Sequence, residues 1–351
     1  MSANAHTAVM TDLEQRIQDG RQLSAPRPRI NRIMEDRFYG RKPRVDIQRA
    51  VLFTQSMMQT EAYPQVLRTA LAIQYMMEHI EVVIQPHELI VGTAGGPGRY
   101  CVLYPETRGG QFPRDLPKIL KAEGKAGYAM TQAEVDTVLN EVVPYWKGKT
   151  LRDYWNAQAP KPILDIISVG GVIDNDIKIE CAPGETTPEF PDHLLPKGFK
   201  GIQDEAQALL DAVDLTVPAN YEKRDFWQAA VIVNEGLRIL CRRHAEAAEA
   251  LAARESDPIR KAELLNIASD CAFLADNPPA TFRQALQQIH FLFMGLYMES
   301  NAGGYSPGRM DQNLYPYYKR DVEAGILTDA DALELIECMW IKFGEQIWYW
   351  N

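Results

Sequence analysis

"ESNAGGYSPGRMDQNLYPYYKRDVEAGILTDADALELIECMWIKFGE", residues 299–345, is the stretch on which the reading of this chain turns. It begins where an apolar, helix-like run, Phe291 to Met298, stops at Ser300-Asn301-Ala302-Gly303-Gly304. A glycine pair ends such a run and lets backbone approach another group closely. Ser306-Pro307-Gly308 then sets a second turn. The segment either joins two elements or lines a site. Arg309 and Asp311 follow and are expected to tie the loop together as a buried pair, since such charges are rarely buried alone. Tyr315, Tyr317 and Tyr318 are expected in the core with their hydroxyls satisfied. "TDAD" (328–331) opens a helix that carries Leu333, Ile336, Trp340 and Phe343 on one stripe.

The same helical period recurs upstream. Val66, Ala70, Ile73 and Met77 form a stripe that Leu67 and Leu71 widen. "TQAE" (131–134) has the capping-box form and starts a helix expected to reach about Trp146. A long pattern from Phe226 to about Arg254 repeats Ala230, Val233, Leu237 and Leu240. Two stretches differ. Residues 89–113 join a short β-like run to many glycines, and residues 161–201 hold β-branched runs broken by Gly and Pro. The chain therefore reads as mostly α with a few short strands and long loops, and loops of that length usually line sites or meet other parts of the protein.

Bulk properties narrow the function classes. The 351 residues are 46% hydrophobic and 24% charged, ordinary for a soluble globular protein with an ample core. Net charge is −10, which disfavours a nucleic-acid partner. Five scattered cysteines, with no C-x-x-C, fit neither a disulfide framework nor a zinc ribbon, and reduced cytoplasmic thiols are expected. The start shows no signal-peptide pattern, and "IHFLFMGLYM" is too short to span a bilayer, so no membrane partner is expected.

Several motifs fail on inspection. "GKT" (148–150) is no P-loop, because Val143 stands where the first glycine is needed. "GTAGGPG" (92–98) lacks dinucleotide spacing and reads as a plain loop. The six histidines show no metal spacing, and His79 and His290 are expected as satisfied helix residues. Asp174, Asp176 and Glu180 alternate like calcium ligands but lack the glycine and distal glutamate of that loop. Cys181 sits beside Glu180, which would raise its pKa, so a structural role is expected. The terminal "EQIWYWN" places Trp348 and Trp350 where their apolar area wants burial, which predicts that more protein follows.

Residues 299–345 resemble the glycyl radical enzymes of the pyruvate formate-lyase-like superfamily. Further matches lie upstream in the same order, at 44–92, "YWKGKT" (145–150), "LLPKGFKGI" (194–202) and "TFRQALQQIHF" (281–291). The resemblance is nearer to the dehydratase, C–S lyase, decarboxylase and fumarate-adding branches than to pyruvate formate-lyase itself. It implies the N-terminal part of a ten-stranded α/β barrel wrapped by helices. The division expected is a loosely ordered segment 1–30 followed by 31–351 as the first part of the pyruvate formate-lyase-like domain.

The resemblance also implies a mechanism. A separate S-adenosylmethionine [4Fe-4S] activase installs a glycyl radical, which passes to a cysteine whose thiyl abstracts a hydrogen from a small organic substrate. No cofactor is expected to bind this chain directly. Neither a Gly-Cys-x-Glu loop nor an "RVAGY"-like glycine loop occurs in residues 1–351, and Cys181 does not fill the role, so no catalytic residue is assigned here. A C-terminal remainder and a homo-oligomer are the implied partners beside the activase. The implied activity is C–O, C–S or C–C cleavage, or radical addition to fumarate. The alternative is an inactive helical scaffold or remnant that binds a partner chain.

Polyol-dehydrating members carry "GHSISP" where this chain has "AGGYSP" (302–307). Gly304 thus replaces a serine that would contact substrate hydroxyls, and a histidine of those members falls near Thr186. Gly304, Tyr305, Ser306 and Thr186 are the cavity-wall residues this implies, with a pocket larger or less polar than one for a small diol.

Overall fold

The computed structural model describes residues 27–121, 127–169, 185–186, 190–300 and 304–347. Helix α1, Pro28–Met34, starts on a proline at its first turn and runs into a π-helical turn, Glu35–Tyr39. This corrects the expectation of loose order as far as residue 30; residues 1–26 lie outside the described residues. Strand β1, Arg44–Asp46, leads to helices α2, Gln48–Gln59, and α3, Gln65–His79, whose apolar stripe is buried at Leu67, Ala70, Ile73 and Met77 but exposed at Val66. A long loop then reaches strand β2, Tyr100–Val102, and helix α4, Phe112–Lys121.

The capping box at Thr131 and Glu134 is present and opens α5, Gln132–Thr137. It continues through π and α turns to Trp146, as the sequence predicts. Thr150 of "GKT" caps α6, Leu151–Gln158, with Asp153, so that motif serves as a helix start. Residues Lys161–Val169 form helix α7 and not the strand their β-branched content suggests. Those isoleucines cost a helix only about 0.4 kcal/mol each, and the Lys161–Asp165 ion pair (2.7 Å) one turn apart supports it.

Strand β3 is Glu185–Thr186. Helix α8, Leu195–Asp211, bends at Gly198, whose φ is 66°. The long helix α9, Tyr221–Ala252, packs against α3, α8 and α10, Pro258–Asp276. Helix α11, Phe282–Glu299, is buried along nearly its whole length, and strand β4, Gly304–Tyr305, follows it. Helices α12, Met310–Glu323, and α13, Asp329–Glu345, close the chain, the latter opened by the Thr328–Asp331 capping box.

Among the described residues β1 and β2 run parallel, with Arg44, Val45 and Asp46 opposite Tyr100, Cys101 and Val102. Single parallel bridges add Ala129 beside Arg44 and Gln346 beside Tyr100. Four parallel segments therefore lie side by side, in the order 129, β1, β2, 346, and β2 is wholly buried. Parallel strands demand cover on both faces, which helices supply here. The glycine-rich loop folds back on this sheet through protein contacts: Asp46 accepts from the Gly96 N–H (3.0 Å) and Gln85 from that of Gly98 (3.0 Å). Gly92 has φ 116°, and a Cβ there would lie 2.5 Å from the Met294 sulfur, so no other residue fits.

One buried charge cluster joins the ends of the described chain. Arg37 pairs with Glu88 (3.0 Å) and Glu345 (2.5 Å), and Lys342 pairs with Glu88 (2.7 Å) and Glu345 (2.6 Å). Two cations face two anions and none of the four is exposed beyond 2%. Burial alone would strip the Lys342 proton, but Glu345 and Glu88 outweigh it and hold the lysine above its ordinary value.

Candidate functional site

Helix α11 delivers the segment that the sequence singles out, and its C-terminal carbonyls are gripped from the side. Arg49, fully buried on α2, donates to the carbonyls of Met298 (2.8 Å), Glu299 (3.2 Å) and Leu103 (3.2 Å). The same guanidinium holds Glu106 through two bonds, at 2.6 and 3.2 Å, and lies 3.9 Å from the Tyr104 ring centre and 4.8 Å from that of Phe53. The last-turn carbonyls of a helix need partners, and here one planar side chain supplies the final two. Tyr104 donates to the Tyr297 carbonyl (2.5 Å) and Tyr297 to that of Ile347 (3.0 Å).

Tyr305 completes the anchor. Its hydroxyl lies 2.6 Å from the Leu296 carbonyl and 3.0 Å from that of Ser300, and its ring meets Phe293 edge-on at 6.0 Å. Phe293 in turn packs on Phe190 and Phe343. The Tyr305 proton is thus engaged by backbone, so this phenol orients the strand and is not free to act as an acid. Glu299 stays accessible on one side, yet the protein around it displaces water and pushes its carboxyl above the usual range, against the pull of Arg49.

Strand β4 pairs in parallel with β3, setting Gly304 opposite Glu185 and Tyr305 opposite Thr186. Three of the four wall residues read from the sequence, Thr186, Gly304 and Tyr305, thereby meet on one strand pair. Ser306 follows, half-buried, its Oγ accepting from the Gly308 N–H (3.3 Å). Arg309 and Asp311 do not form the buried pair expected. Both are exposed and no ion pair joins them; Arg309 is the N-cap residue of α12 and Asp311 sits in its first turn, where a carboxylate suits the helix dipole without a partner. Tyr315 is 56% exposed and not core. Tyr317 and Tyr318 are half-buried, with hydroxyls on the Leu195 carbonyl (3.3 Å) and Asp329 (2.8 Å).

Cys101, Cys241, Cys271 and Cys338 are buried free thiols, and burial pushes Cys101 and Cys338 up to about 12. None is poised as a thiolate. Cys181, Asp174, Asp176, Glu180, Trp348 and Trp350 lie outside the described residues. His79 is exposed but satisfied by the Tyr75 carbonyl (2.8 Å), while His290 is buried on that of Gly92 (2.9 Å). No helix among the described residues is long and apolar enough to cross a membrane.

Sequence reasoning missed Arg49. The signal available was a lone arginine inside the otherwise apolar stripe of "RAVLF". Arg49→Met should cost about 3 kcal/mol, because three carbonyls and Glu106 lose their donor together. Urea unfolding should show this, and amide exchange across 298–305 should accelerate. Arg49→Lys should recover little, since one ammonium cannot span those acceptors.

Short parallel strands wrapped by helices define an α/β scaffold. The chain belongs to the pyruvate formate lyase-like family, whose pattern it matches over residues 20–351. It is 37% identical to the isethionate sulfite-lyase of Oleidesulfovibrio alaskensis, over 97% of this chain and 42% of that protein. It is 31% identical to the trans-4-hydroxy-L-proline dehydratase of Clostridioides difficile, over 87% of this chain and 38% of that one. The glycerol-bound, B12-independent glycerol dehydratase of Clostridium butyricum superposes with a TM-score of 0.85 at 31% identity, covering 92% of this chain and 40% of that one. The chain thus spans about two fifths of the length of the relatives it matches.

Proposed function

We propose that this chain forms a substrate-facing wall of a glycyl radical lyase acting on a small organic substrate. The observation that carries the reading is the pairing of Glu185–Thr186 with Gly304–Tyr305 in a member of this family. When present, the glycyl radical and its partner cysteine would supply hydrogen abstraction from a substrate carbon. This chain's own residues contribute shape. Gly304 carries no side chain where small-diol enzymes place a hydroxyl-binding serine, and the committed Tyr305 hydroxyl adds no competing donor. Higher identity to a C–S lyase than to a dehydratase favours C–S cleavage, of a hydroxylated substrate with a bulky or charged head, ahead of C–O cleavage. A radical S-adenosylmethionine activase and the C-terminal remainder carrying the Gly-Cys-x-Glu and glycine loops are the partners this requires. The second reading is an inactive scaffold that binds a partner chain.

The test is anaerobic activation with S-adenosylmethionine and an activase, with and without the polypeptide encoded immediately downstream. A glycyl doublet in the electron paramagnetic resonance spectrum, with sulfite released from a hydroxyalkyl sulfonate, is expected only for the combination. A doublet from this chain alone would sink the reading, and no turnover from the combination would favour the scaffold. In an active combination Gly304→Leu should lower kcat/KM ~10–100-fold at unchanged radical yield, because misplacing a substrate by an ångström costs that much. Unchanged turnover would reduce Gly303-Gly304 to a simple turn.

A further inference from the structure

A cavity of about 700 Å³ opens between α1, the loop at 84–87 and the turn joining α9 to α10, and it shares no lining residue with the β3–β4 pair. Its charges are unevenly spent. Glu263 is held by Arg29 and by Arg260 (2.8 Å), and Glu334 by the Arg29 Nε (3.2 Å). Glu255 accepts from the Ser256 and Asp257 N–H groups, at 2.8 and 2.9 Å. Asp257 caps α10 through the Ile259 N–H (3.0 Å). The carboxylates at the rim are therefore engaged. The guanidiniums of Arg32 and Arg254 are exposed on the same cavity and make no hydrogen bond or ion pair among the described residues.

His87 lines the same cavity with φ 67°, a left-handed conformation rare outside glycine. Its carbonyl is held by Arg29 (3.0 Å). Non-glycine residues keep such a backbone where their surroundings over-determine it, and they cluster at ligand sites. Burial lowers the His87 pKa, and Arg32, Arg29 and Arg260 lower it further against Glu263 alone. The imidazole therefore sits neutral in a positive field. Ile84, Leu251 and Leu264 give the cavity an apolar side.

We propose that this cavity binds a small organic anion. Its phosphate, sulfonate or carboxylate head lies among Arg32, Arg254 and His87, and its apolar body rests on Ile84, Leu251 and Leu264. The site is independent of the lyase reading.

The test uses phenyl phosphate, which combines a dianion with an apolar ring, titrated into the full chain. The His87 imidazole resonance, assigned through His87→Gln, reports binding by nuclear magnetic resonance. A saturable shift is expected, with the His87 pKa moving upward as the bound anion offsets the guanidinium field. Inorganic phosphate should bind more weakly, lacking the ring. Arg32→Gln with Arg254→Gln should weaken binding ~10-fold or more, the loss expected for charge-assisted bonds. Arg254→Lys should lose less. Both arginines are exposed, so an unchanged near-ultraviolet circular dichroism spectrum verifies the fold of the variants. The proposal is overturned if the shift does not saturate, if the double variant binds as tightly as the parent, or if phenol binds as well as phenyl phosphate.

Discussion

Lys342→Met should destabilise the fold by about 3–5 kcal/mol, the cost of leaving a buried charge without its partner. The substitution removes one of two cations from a cluster that is otherwise neutral, so Glu88 and Glu345 would share Arg37 alone. Removing Glu345 as well restores neutrality, and Lys342→Met with Glu345→Met should be more stable than Lys342→Met by itself. That inversion, read from urea midpoints at constant slope, is the diagnostic result. A single variant costing under about 1 kcal/mol would mean that water reaches the cluster. The sign with pH also follows. Lys342 is raised above its free value of 10.5, so its contribution is complete below that pH and is lost only as pH rises through the folded value. The penalty should therefore be the same at pH 6 and pH 9.

On the acid side the chain should lose stability unusually early, from about pH 6.5 downward. His244 and His290 are fully buried, and burial lowers them to about 4 and about 3 from an ordinary 6.5. Lys342 adds to the lowering of both, Arg243 to that of His244, and Glu88 opposes it at His244. His244 meets the Leu240 carbonyl through Nδ1 (2.9 Å) and His290 that of Gly92 through Nε2 (2.9 Å), which makes each of those nitrogens the protonated one. The other ring nitrogens, Nε2 of His244 and Nδ1 of His290, have no hydrogen-bond partner in the core. The unfolded chain takes up two protons below pH 6.5 that the folded chain refuses. Stability present above that pH then falls by ~2.7 kcal/mol per pH unit, on the order of 4 kcal/mol by pH 5. Denaturant melts at pH 7, 6 and 5 measure the slope, and His290→Gln should halve it. A flat profile over that range would show that the rings charge in place.

Local signals carried well from sequence to structure. Thr131 with Glu134 and Thr328 with Asp331 open helices because a capping box is satisfied within four residues. The stripe of α3 is buried except at Val66, since helical period follows from the chain itself, whereas the stripe read for α13 is not its buried face: Trp340 is 54% exposed, and the helix buries Ala332, Leu335, Cys338 and Met339 instead. Order and spacing of five blocks identified the family, and a glycine pair marked the loop beside the strands.

Other features depended on partners far away along the chain. Lys161–Val169 became a helix because propensity differences of tenths of a kcal/mol do not decide a segment. Arg309 and Asp311, two residues apart, look like a pair in sequence but stand at an exposed helix start where water serves both. Arg49 reads as one charge in an apolar stripe, and only the arrival of the Met298 and Glu299 carbonyls gives it a task. Thr186 meets Tyr305, and Arg37 meets Glu345, through strand pairing and burial that no local pattern encodes. Helix starts were determined by the sequence alone, because neighbouring residues bear their energetics. The β3–β4 pairing, the arginine clamp beside it and the buried charge cluster were decided by tertiary structure, because desolvation makes an unpartnered carbonyl or charge costly only after distant segments have closed over it.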